Sequence, residues 1–280
     1  MAQQTSSESS IKSGRKNRIL NAVTNWFKRN KSALATLGLM LIAWTIFTNF
    51  FNPRGNLFFP SPQYVGQQYV ENYELLIQSA GITTFQIISG FLIGTSLGII
   101  TGIIISELFV ARQLTLPMIV IFYSIPFAVI APLFTLWFGS STSTIILFVS
   151  VFSFFVPFVN TLTGMTQTRE EFLQLGRVSG ASKIQMIKYI KLMEAIPNIS
   201  TGIKLSAQGA VIGAVIAEFI IANRGLGYLV LGSLEQVRIG LLFASLILIM
   251  LLGIVFFFSV SYALRMVVPG GNDPTGMDAV

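Results

Sequence analysis

Apolar residues in this chain are grouped into long uncharged runs, which shorter polar or charged stretches separate. A helix crosses the hydrocarbon core of a bilayer with about 20 mainly apolar residues. By that length the runs predict six membrane-spanning helices, at Ala33–Phe51, Thr84–Ser106, Leu116–Phe138, Thr144–Gly164, Asn198–Ile221 and Gly240–Val268. The uncharged stretch from Gln113 to Thr168 holds two of these spans, and turn-forming residues at 138–144 divide it.

The composition agrees with integration into a membrane. Charged residues make up 10% of the 280 positions, whereas soluble domains carry about 25%. The sequence therefore predicts an all-α membrane protein, a polytopic six-helix bundle. Residues 1–31 are expected to form a basic cytoplasmic tail, disordered or interfacial, residues 32–269 the six-span domain, and residues 270–280 a second disordered tail.

Lysine and arginine are unequally distributed between the two sides of the predicted bundle. The side of the termini carries seven basic residues before the first apolar run, and also Arg112, Arg265 and the basic residues of 169–191. The opposite side carries only Arg54, Arg224 and Arg238. Because basic residues favour cytoplasmic loops, both termini of this multi-pass plasma or inner membrane protein are predicted to be cytoplasmic. The same rule accounts for the net charge of +7 without a nucleic-acid site.

Small residues recur at every fourth position in two of the predicted spans. The two series are Gly90, Gly94, Gly98 and Gly102 in span two, and Gly202, Ser206, Ala210 and Ala214 in span five. Small residues at this interval let helix backbones approach closely. We therefore expect spans two and five to pack inside the bundle.

A few residues of the spans are candidates for a translocation path. The stretch "YSIPFAVIAPLFTLWFG", residues 123–139, has two prolines six residues apart. These indicate either a bent helix that lines a pathway or a kink that serves packing alone. Ser124 and Phe127 are the path candidates in this stretch. Glu218, near the outer end of span five, is expected either to have a structural partner or to contact the solute.

The sequence offers no catalytic chemistry. It has no histidine and no cysteine, which removes the commonest metal ligand and general base. It lacks a G-x-x-x-x-G-K-[ST] phosphate loop, so the chain is not expected to bind ATP in that manner, and no metal site is expected. The predicted spans hold few charged residues, which makes proton coupling by this chain a poor hypothesis. A transporter of this type needs energy from elsewhere, or the protein is a passive channel.

One basic stretch, "LGRVSGASKIQMIKYIKLMEAIP" at residues 175–197, lies between the fourth and fifth spans. Ile184, Ile187 and Ile190 recur on one side of a helix there. Residues 165–194 are therefore expected to form a short helix–turn–helix at the cytoplasmic face, with Pro197 near the start of span five. This element either binds anionic lipid or docks a cytoplasmic partner.

This stretch resembles the cytoplasmic coupling loop of permease subunits from ATP-binding cassette (ABC) importers. "GAS" at 180–182, Leu192 and Pro197 fit the pattern of that loop, whereas Gln-Leu-Gly at 174–176 replaces its Glu-Ala-Ala and Met193 its first proline. The nitrate/sulfonate/taurine-type branch of these permeases is similar at four motifs: "FFPSP", "IPFAVIAPLFTLWFG", "GAVIAEF" and "ANRGLGYLV".

The resemblance implies a non-catalytic importer subunit in the bilayer that moves a small solute delivered by an extracytoplasmic binding protein. Its partners would be a second permease chain, by default an identical one, and two cytoplasmic ATPases that bind the ATP and Mg²⁺, so this chain would hold no cofactor. A coupling helix between spans four and five would engage the ATPase through Glu171, Gln174, Gly176, Gly180, Ala181, Ser182, Lys183, Met186 and Lys188.

The solute itself stays open at this stage. Branch members carry nitrate, bicarbonate or sulfonate anions, or small heterocycles. No basic residue lies in the middle of a predicted span to hold an anion, which slightly favours a small organic solute. The alternative from another class is a membrane scaffold protein whose basic loop binds lipid or an unrelated partner, and a passive channel is the third hypothesis.

Overall fold

The computed structural model describes residues 31–50, 58–108 and 126–267, with isolated positions between 113 and 124. Both predicted tails lie outside the described residues except for Lys31, and so does most of the first half of predicted span three. In the described part of the chain all regular secondary structure is helical.

The described helices are numbered here in chain order. They are α1 Lys31–Phe50, α2 Pro62–Glu71, α3 Tyr73–Ser106, α4 Phe127–Phe138, α5 Thr142–Thr166, α6 Glu170–Val178, α7 Lys183–Met186, a π-helical stretch Ile187–Lys191, α8 Leu192–Ile220, α9 Leu226–Glu235 and α10 Ile239–Val267. The chain forms two compact units, which divide between Gln63 and Tyr64. In the first unit, the indole N–H of Trp44 donates to the carbonyl oxygen of Pro60 at 3.1 Å. Apart from the apolar stretch Gly38–Thr48, the structural features described below belong to the second unit.

Four described helices are long and apolar enough to cross a membrane. They are α3, α5, the continuous helix Lys183–Ile220, and α10 from Ile239 to Met266. They contain predicted spans two and four, nearly all of span five, and most of span six. The regions of predicted spans one and three hold shorter apolar stretches, Gly38–Thr48 and Ala128–Phe138. In its described residues the structure is therefore all-helical, with four candidate spans.

Two helix boundaries differ from the sequence prediction, and one short helix was not predicted. Predicted span three is not one continuous helix from 116 to 138, because Pro126 is extended and α4 starts after it; proline lacks the N–H that a continuous helix needs. Span two was predicted from Thr84, but α3 begins eleven residues earlier, at Tyr73. The first residues of α3 are mixed in polarity, so the sequence did not predict them as part of the span. The short helix α9 was not predicted either.

The sequence predicted Pro197 near the start of span five, but the helix that contains this span begins earlier in the structure, at Lys183. The helix that begins at Lys183 runs through the π-helical stretch into α8 without a loop, and Pro197 lies inside it. The second half of the predicted helix–turn–helix is therefore not a short separate helix. A proline inside a helix loses a backbone hydrogen bond and crowds the preceding turn. Here the helix is held on both sides of Pro197, by the pair of Arg169 with Glu194 and by the close packing of Gly202 on α5.

Helix α5 lies at the centre of the bundle, between α3 and α8. A Cβ atom built on Gly94 or Gly98 of α3 would overlap the backbone carbonyls of Ser150 or Phe154 in α5, and one on Gly90 or Gly102 would overlap α5 side chains. Gly202 of α8 lies equally close to α5, at Pro157 and Asn160. The glycines are required because any side chain would push the helices apart.

Helices α3 and α8 are antiparallel, and polar pairs join them at three levels. These are Thr83 with Glu218 at 2.6 Å, Thr95 with Ser206 at 3.0 Å, and Glu107 with Lys191, in the π-helical stretch, at 2.7 Å. The three positions on α3 are twelve residues apart, which corresponds to about 18 Å along a helix. We call this line of contacts the α3–α8 seam. A buried group around Glu218 lies at one end of it, and the basic segment lies at the other.

Candidate functional site

The first site is the basic segment, residues 165–194. Within it, helix α6 has a sharply defined C-terminal end at Gly180. Gly180 has a φ of 71°, a left-handed conformation that favours glycine. The amide of Ala181 donates to the carbonyl of Gly176 at 2.9 Å, and that of Gly180 to Arg177 at 3.1 Å. These two bonds form the Schellman motif that ends α6, so Gly180 has a structural reason to be glycine.

The next helix starts directly after this turn with a capping box at Ser182 and Gln185. The amide of Ser182 donates to the side-chain oxygen of Gln185 at 2.8 Å, and the amide of Gln185 donates to the hydroxyl of Ser182 at 3.4 Å. Both orphan amides of the helix start are thereby satisfied. The spacing Ser-x-x-Gln at 182–185 is the sequence signal of this helix start.

Helix α6 packs back onto the helix that follows the turn. Gly176 lies so close to the thioether of Met186 and to Ile190 that a Cβ would overlap both. Glycine stands here in place of the family's second alanine, and a larger residue would have to displace the ends of the Met186 and Ile190 side chains. The turn, its two caps and this contact make the segment a firmly held unit.

Ion pairs hold the basic segment together, and the pair of Lys191 with Glu107 attaches it to the bundle. Arg169 bonds Glu194 through its side-chain Nε at 2.5 Å and through its backbone amide at 2.8 Å. Lys191 reaches Glu107 at the end of α3, with both side chains mostly covered. A further pair, Arg177 with Glu170 at 3.2 Å, lies exposed within α6.

Apolar side chains that would normally be covered are exposed around the turn. Val178 is 88% exposed, Ile184 76% and Leu175 63%; Ile184 therefore does not share the covered position of Ile187 and Ile190. Six of the nine residues predicted for ATPase coupling are also exposed, and Gly176 is buried, while Ala181 and Met186 are half-buried. The turn thus presents an apolar surface edged with charge.

The second site is a buried group at the opposite end of the seam, which we call the Glu218 cluster. Glu218 is fully buried. Its carboxylate accepts hydrogen bonds from the Thr83 hydroxyl and from the amide of Gly227, both at 2.6 Å, and Thr83 accepts one from the amide of Leu226 at 2.8 Å. No ion pair involves Glu218 among the described residues.

The cluster fixes the chain between α8 and α9. Gly225 has a φ of 116°, and a Cβ there would overlap the Glu218 carboxylate. Thr83 was missed by the sequence prediction because span two was taken to begin one residue later. The sequence signal for this contact was the pair Gly225 and Gly227, shortly after Glu218. Glycines there allow the backbone to approach the glutamate side chain closely.

The other predicted path residues lie elsewhere. Ser124 is exposed, and its hydroxyl donates to the carbonyl of Val120 in its own helix at 2.7 Å. Phe127 is the first residue of α4. Among the described residues, the hydrogen bonds of Glu218 involve neither Ser124 nor Phe127, and their role in a path stays a prediction.

The sequence profile of the binding-protein-dependent transport system inner membrane component family matches residues 94–270. The match covers more than half of the chain. The chain belongs to this family. It is thus a non-catalytic ABC transporter permease subunit of the membrane, and the basic segment and Glu218 both lie inside the matched region, whereas Thr83 lies before it.

Several curated proteins are similar to this permease over most of its length. A probable ABC transporter permease protein of Haemophilus influenzae is 29% identical, with 83% of this chain and 94% of that protein covered. The formylaminopyrimidine transport permease ThiX of Halalkalibacterium halodurans is 30% identical, with 75% and 84% covered. A putative aliphatic sulfonates transport permease SsuC of Bacillus subtilis is 29% identical, with 61% and 62% covered.

A solved structure has the same fold. The structure described as inward-facing conformations of the MetNI methionine ABC transporter matches with a TM-score of 0.58, covering 71% of this permease and 98% of the matched chain. The two sequences are 19% identical. The likeness therefore shows a shared helical architecture.

Proposed function

We propose that this permease moves a small solute through an ABC importer. In this proposal, an extracytoplasmic binding protein delivers the solute, two cytoplasmic ATPase subunits supply the energy and hold ATP and Mg²⁺, and a second, identical permease chain completes the pathway. The membership in a binding-protein-dependent transport family supports this assignment. The chain itself carries no cofactor in this scheme.

In the proposed topology six spans cross the membrane and both termini are cytoplasmic. The tails at 1–31 and 270–280 flank the transport domain on that side. The unequal distribution of lysine and arginine supports this orientation. It places the basic segment in the cytoplasm and the Glu218 cluster at the outer end of the bundle.

The basic segment is the proposed coupling element, and the exposed apolar surface around Gly180 is the observation that carries this role. An apolar surface on a rigid, capped turn fits a protein partner, because burying Val178 and Ile184 gives a favourable contact without a change of shape. The charges of Glu171, Lys183 and Lys188 would border this contact and orient it.

The continuous helix gives this element a mechanical role. Because the helix from Lys183 to Ile220 contains no intervening loop, a displacement of its first turn is passed directly into span five. The ion pair of Lys191 with Glu107 keeps the segment attached to the bundle during that movement, and the pair of Arg169 with Glu194 holds the two ends of the segment together. Closing of the two ATPases would thus rock the helices about the solute pathway.

The proposed solute is a small anion such as nitrate, bicarbonate or a sulfonate, or a small organic molecule. The names of two similar permeases support this range, one for formylaminopyrimidine and one for aliphatic sulfonates. Selection would rest largely with the binding protein, which is expected to lie outside the membrane.

The test is uptake by proteoliposomes that contain the permease, its ATPase and its binding protein. Uptake that requires ATP supports the importer, whereas flux without ATP would indicate a channel, and stable assembly without any flux a scaffold. The variant Val178→Glu should reduce co-purification of the ATPase about tenfold, because a charge replaces an apolar contact. The control Val70→Glu changes an equally exposed valine, 82% exposed in α2, and should retain the ATPase. Equal retention by both variants would refute docking at the turn.

A further inference from the structure

A cavity of about 650 Å³ opens beside the Glu218 cluster, at the end of the bundle away from the basic segment. Its described lining comes from residues 78–86 of α3, from residues 140–145 at the start of α5, and from residues 221–224 that follow α8. Sites for small molecules have volumes of about 300–1,000 Å³. The cavity is therefore large enough for a solute.

Gln86 supplies the buried polar group of this cavity. Its side chain is 1% exposed and lines the cavity, and its Oε1 atom has no hydrogen-bond partner among the described residues. Buried carboxamides are normally hydrogen-bonded. The nearby polar residue Thr83 does not serve Gln86, because its oxygen is engaged with Glu218 and Leu226.

The rest of the lining has two different characters. Phe85, Ile82 and Ile145 provide apolar surface along one part, and Gln78 with Arg224 provides polar groups towards the exposed part. Arg224 takes part in none of the ion pairs of the described chain. Seven of the thirteen described lining residues are polar. Sites that orient a small organic ligand likewise combine apolar surface with placed polar groups.

The walls of the cavity are held in a fixed relation to each other. Thr83 lies one helical turn before Gln86 on α3, and it binds the amide of Leu226, just after the wall formed by residues 221–224. Glu218 binds the next amide, that of Gly227. The Glu218 cluster thus positions one wall against the helix that carries Gln86, so a ligand would meet a preorganised site.

We propose that this cavity is a solute-binding subsite within the permease, and that it takes a small planar solute with a hydrogen-bond donor next to an acceptor. An amino-substituted nitrogen heterocycle has such an edge. A glutamine carboxamide matches it with two parallel hydrogen bonds, and Phe85 offers an aromatic face beside it. Nitrate and alkanesulfonate anions have no donor for the Gln86 oxygen. The proposal rests on the importer function, because the subsite has a role only if solute passes through this chain.

Calorimetric titration of 4-aminopyrimidine into the purified permease–ATPase complex tests the subsite. The variant Gln86→Leu should raise the Kd about tenfold, since it removes both hydrogen bonds. Gln208→Leu is the matched control, because Gln208 is exposed on α8 and outside this cavity, and its Kd should not change. Gln86→Leu should also keep or raise the Tm, because an unpaired buried amide is removed. Gln86→Met, which keeps the side-chain length, is the second variant if the leucine variant does not fold.

Three results would overturn the subsite. These are an unchanged Kd in Gln86→Leu and Gln86→Met, no binding of 4-aminopyrimidine by the unmodified complex, and tighter binding of nitrate or methanesulfonate than of 4-aminopyrimidine. Failure of the importer function has a different signature, because the unmodified proteoliposomes would then show no ATP-dependent uptake of any solute that the binding protein holds.

Discussion

The two ends of the α3–α8 seam accommodate their charges in different ways. At one end Glu218 is fully buried and is held by a hydroxyl and a backbone amide. At the other end Glu107 is paired with Lys191, and their side chains remain 17% and 21% exposed. The buried end fixes one stretch of backbone, whereas the ion-paired end joins the bundle to a segment whose outer surface stays uncovered.

This difference separates a static part of the permease from a moving one. Every polar group of the Glu218 cluster is used within the chain, so rearranging it would leave buried groups unpaired. The ion pairs of Arg169 and Arg177 lie closer to water, since both arginine side chains are 66% exposed, and breaking and re-forming such a pair changes the free energy little. We therefore expect the Glu218 cluster to stay intact while the basic segment shifts during transport.

The largest effect is expected at the Glu218 cluster. Glu218→Ala should lower the free energy of unfolding by about 3 kcal/mol, because it leaves the amide of Gly227 and the hydroxyl of Thr83 unpaired and opens a cavity. Thermal unfolding of the detergent-purified permease measures this loss. Glu218→Gln is the matched control, and it should lose only about 1 kcal/mol because its carbonyl oxygen still accepts a hydrogen bond.

Equal losses in Glu218→Ala and Glu218→Gln would show that the charge, and not the hydrogen bonds, holds the cluster. A Glu218→Gln permease that keeps its stability and its ATPase but loses uptake would instead indicate that Glu218 contacts the solute, the other role expected from the sequence.

A smaller effect is expected at the ion-paired end. Lys191→Met should lower the free energy of unfolding by about 1–2 kcal/mol, because Glu107 is left without its partner in a mostly covered position. Arg177→Met breaks an exposed pair within α6 and should change stability by less than about 0.5 kcal/mol. Thermal unfolding compares the two variants, and a larger loss for Arg177→Met would contradict the assignment of Lys191 as the attachment point.

The smallest effect on stability is expected at the turn itself. Gly180→Ala should cost about 1 kcal/mol, because alanine disfavours the left-handed conformation of the Schellman motif. Gly180→Asn should cost less, since asparagine adopts this conformation more readily. Alanine at Gly232, which lies inside α9 with open space around it, should be neutral or stabilising. A Gly180→Ala variant as stable as the unmodified permease would show that the motif does not need glycine.

The sequence predicted those features that depend on local spacing. The all-helical membrane class and the family are confirmed. Both were predictable because long apolar runs indicate the class and short motifs indicate the family. The fourfold spacing of Gly90 to Gly102 marked a close-packed helix face, but it could not identify α5 as the helix that covers this face. Such a partner is decided by the tertiary arrangement, which periodicity does not contain.

Long-range hydrogen bonds were the main features that the sequence could not predict. Thr83 and Glu218 are 135 positions apart, and nothing in the local pattern of either residue points to the other. The continuity of the basic segment with α8 was missed because Pro197 normally marks a helix start, and here the packing around the helix outweighs that preference. Gln86 was not predicted as a site residue, because a single amide side chain in an apolar run is common in ordinary membrane helices.

Cross-linking from the turn to the ATPase is the most direct test of the account. The chain contains no cysteine, so the single substitution Val178→Cys gives one reactive position on the apolar surface beside Gly180. With a short thiol-to-amine cross-linker in native membranes, Val178→Cys should link to the ATPase, and the yield should change when ATP is added. Val70→Cys, equally exposed in α2, should give no such product. An ATPase cross-link from Val70→Cys and none from Val178→Cys would contradict the proposed docking site.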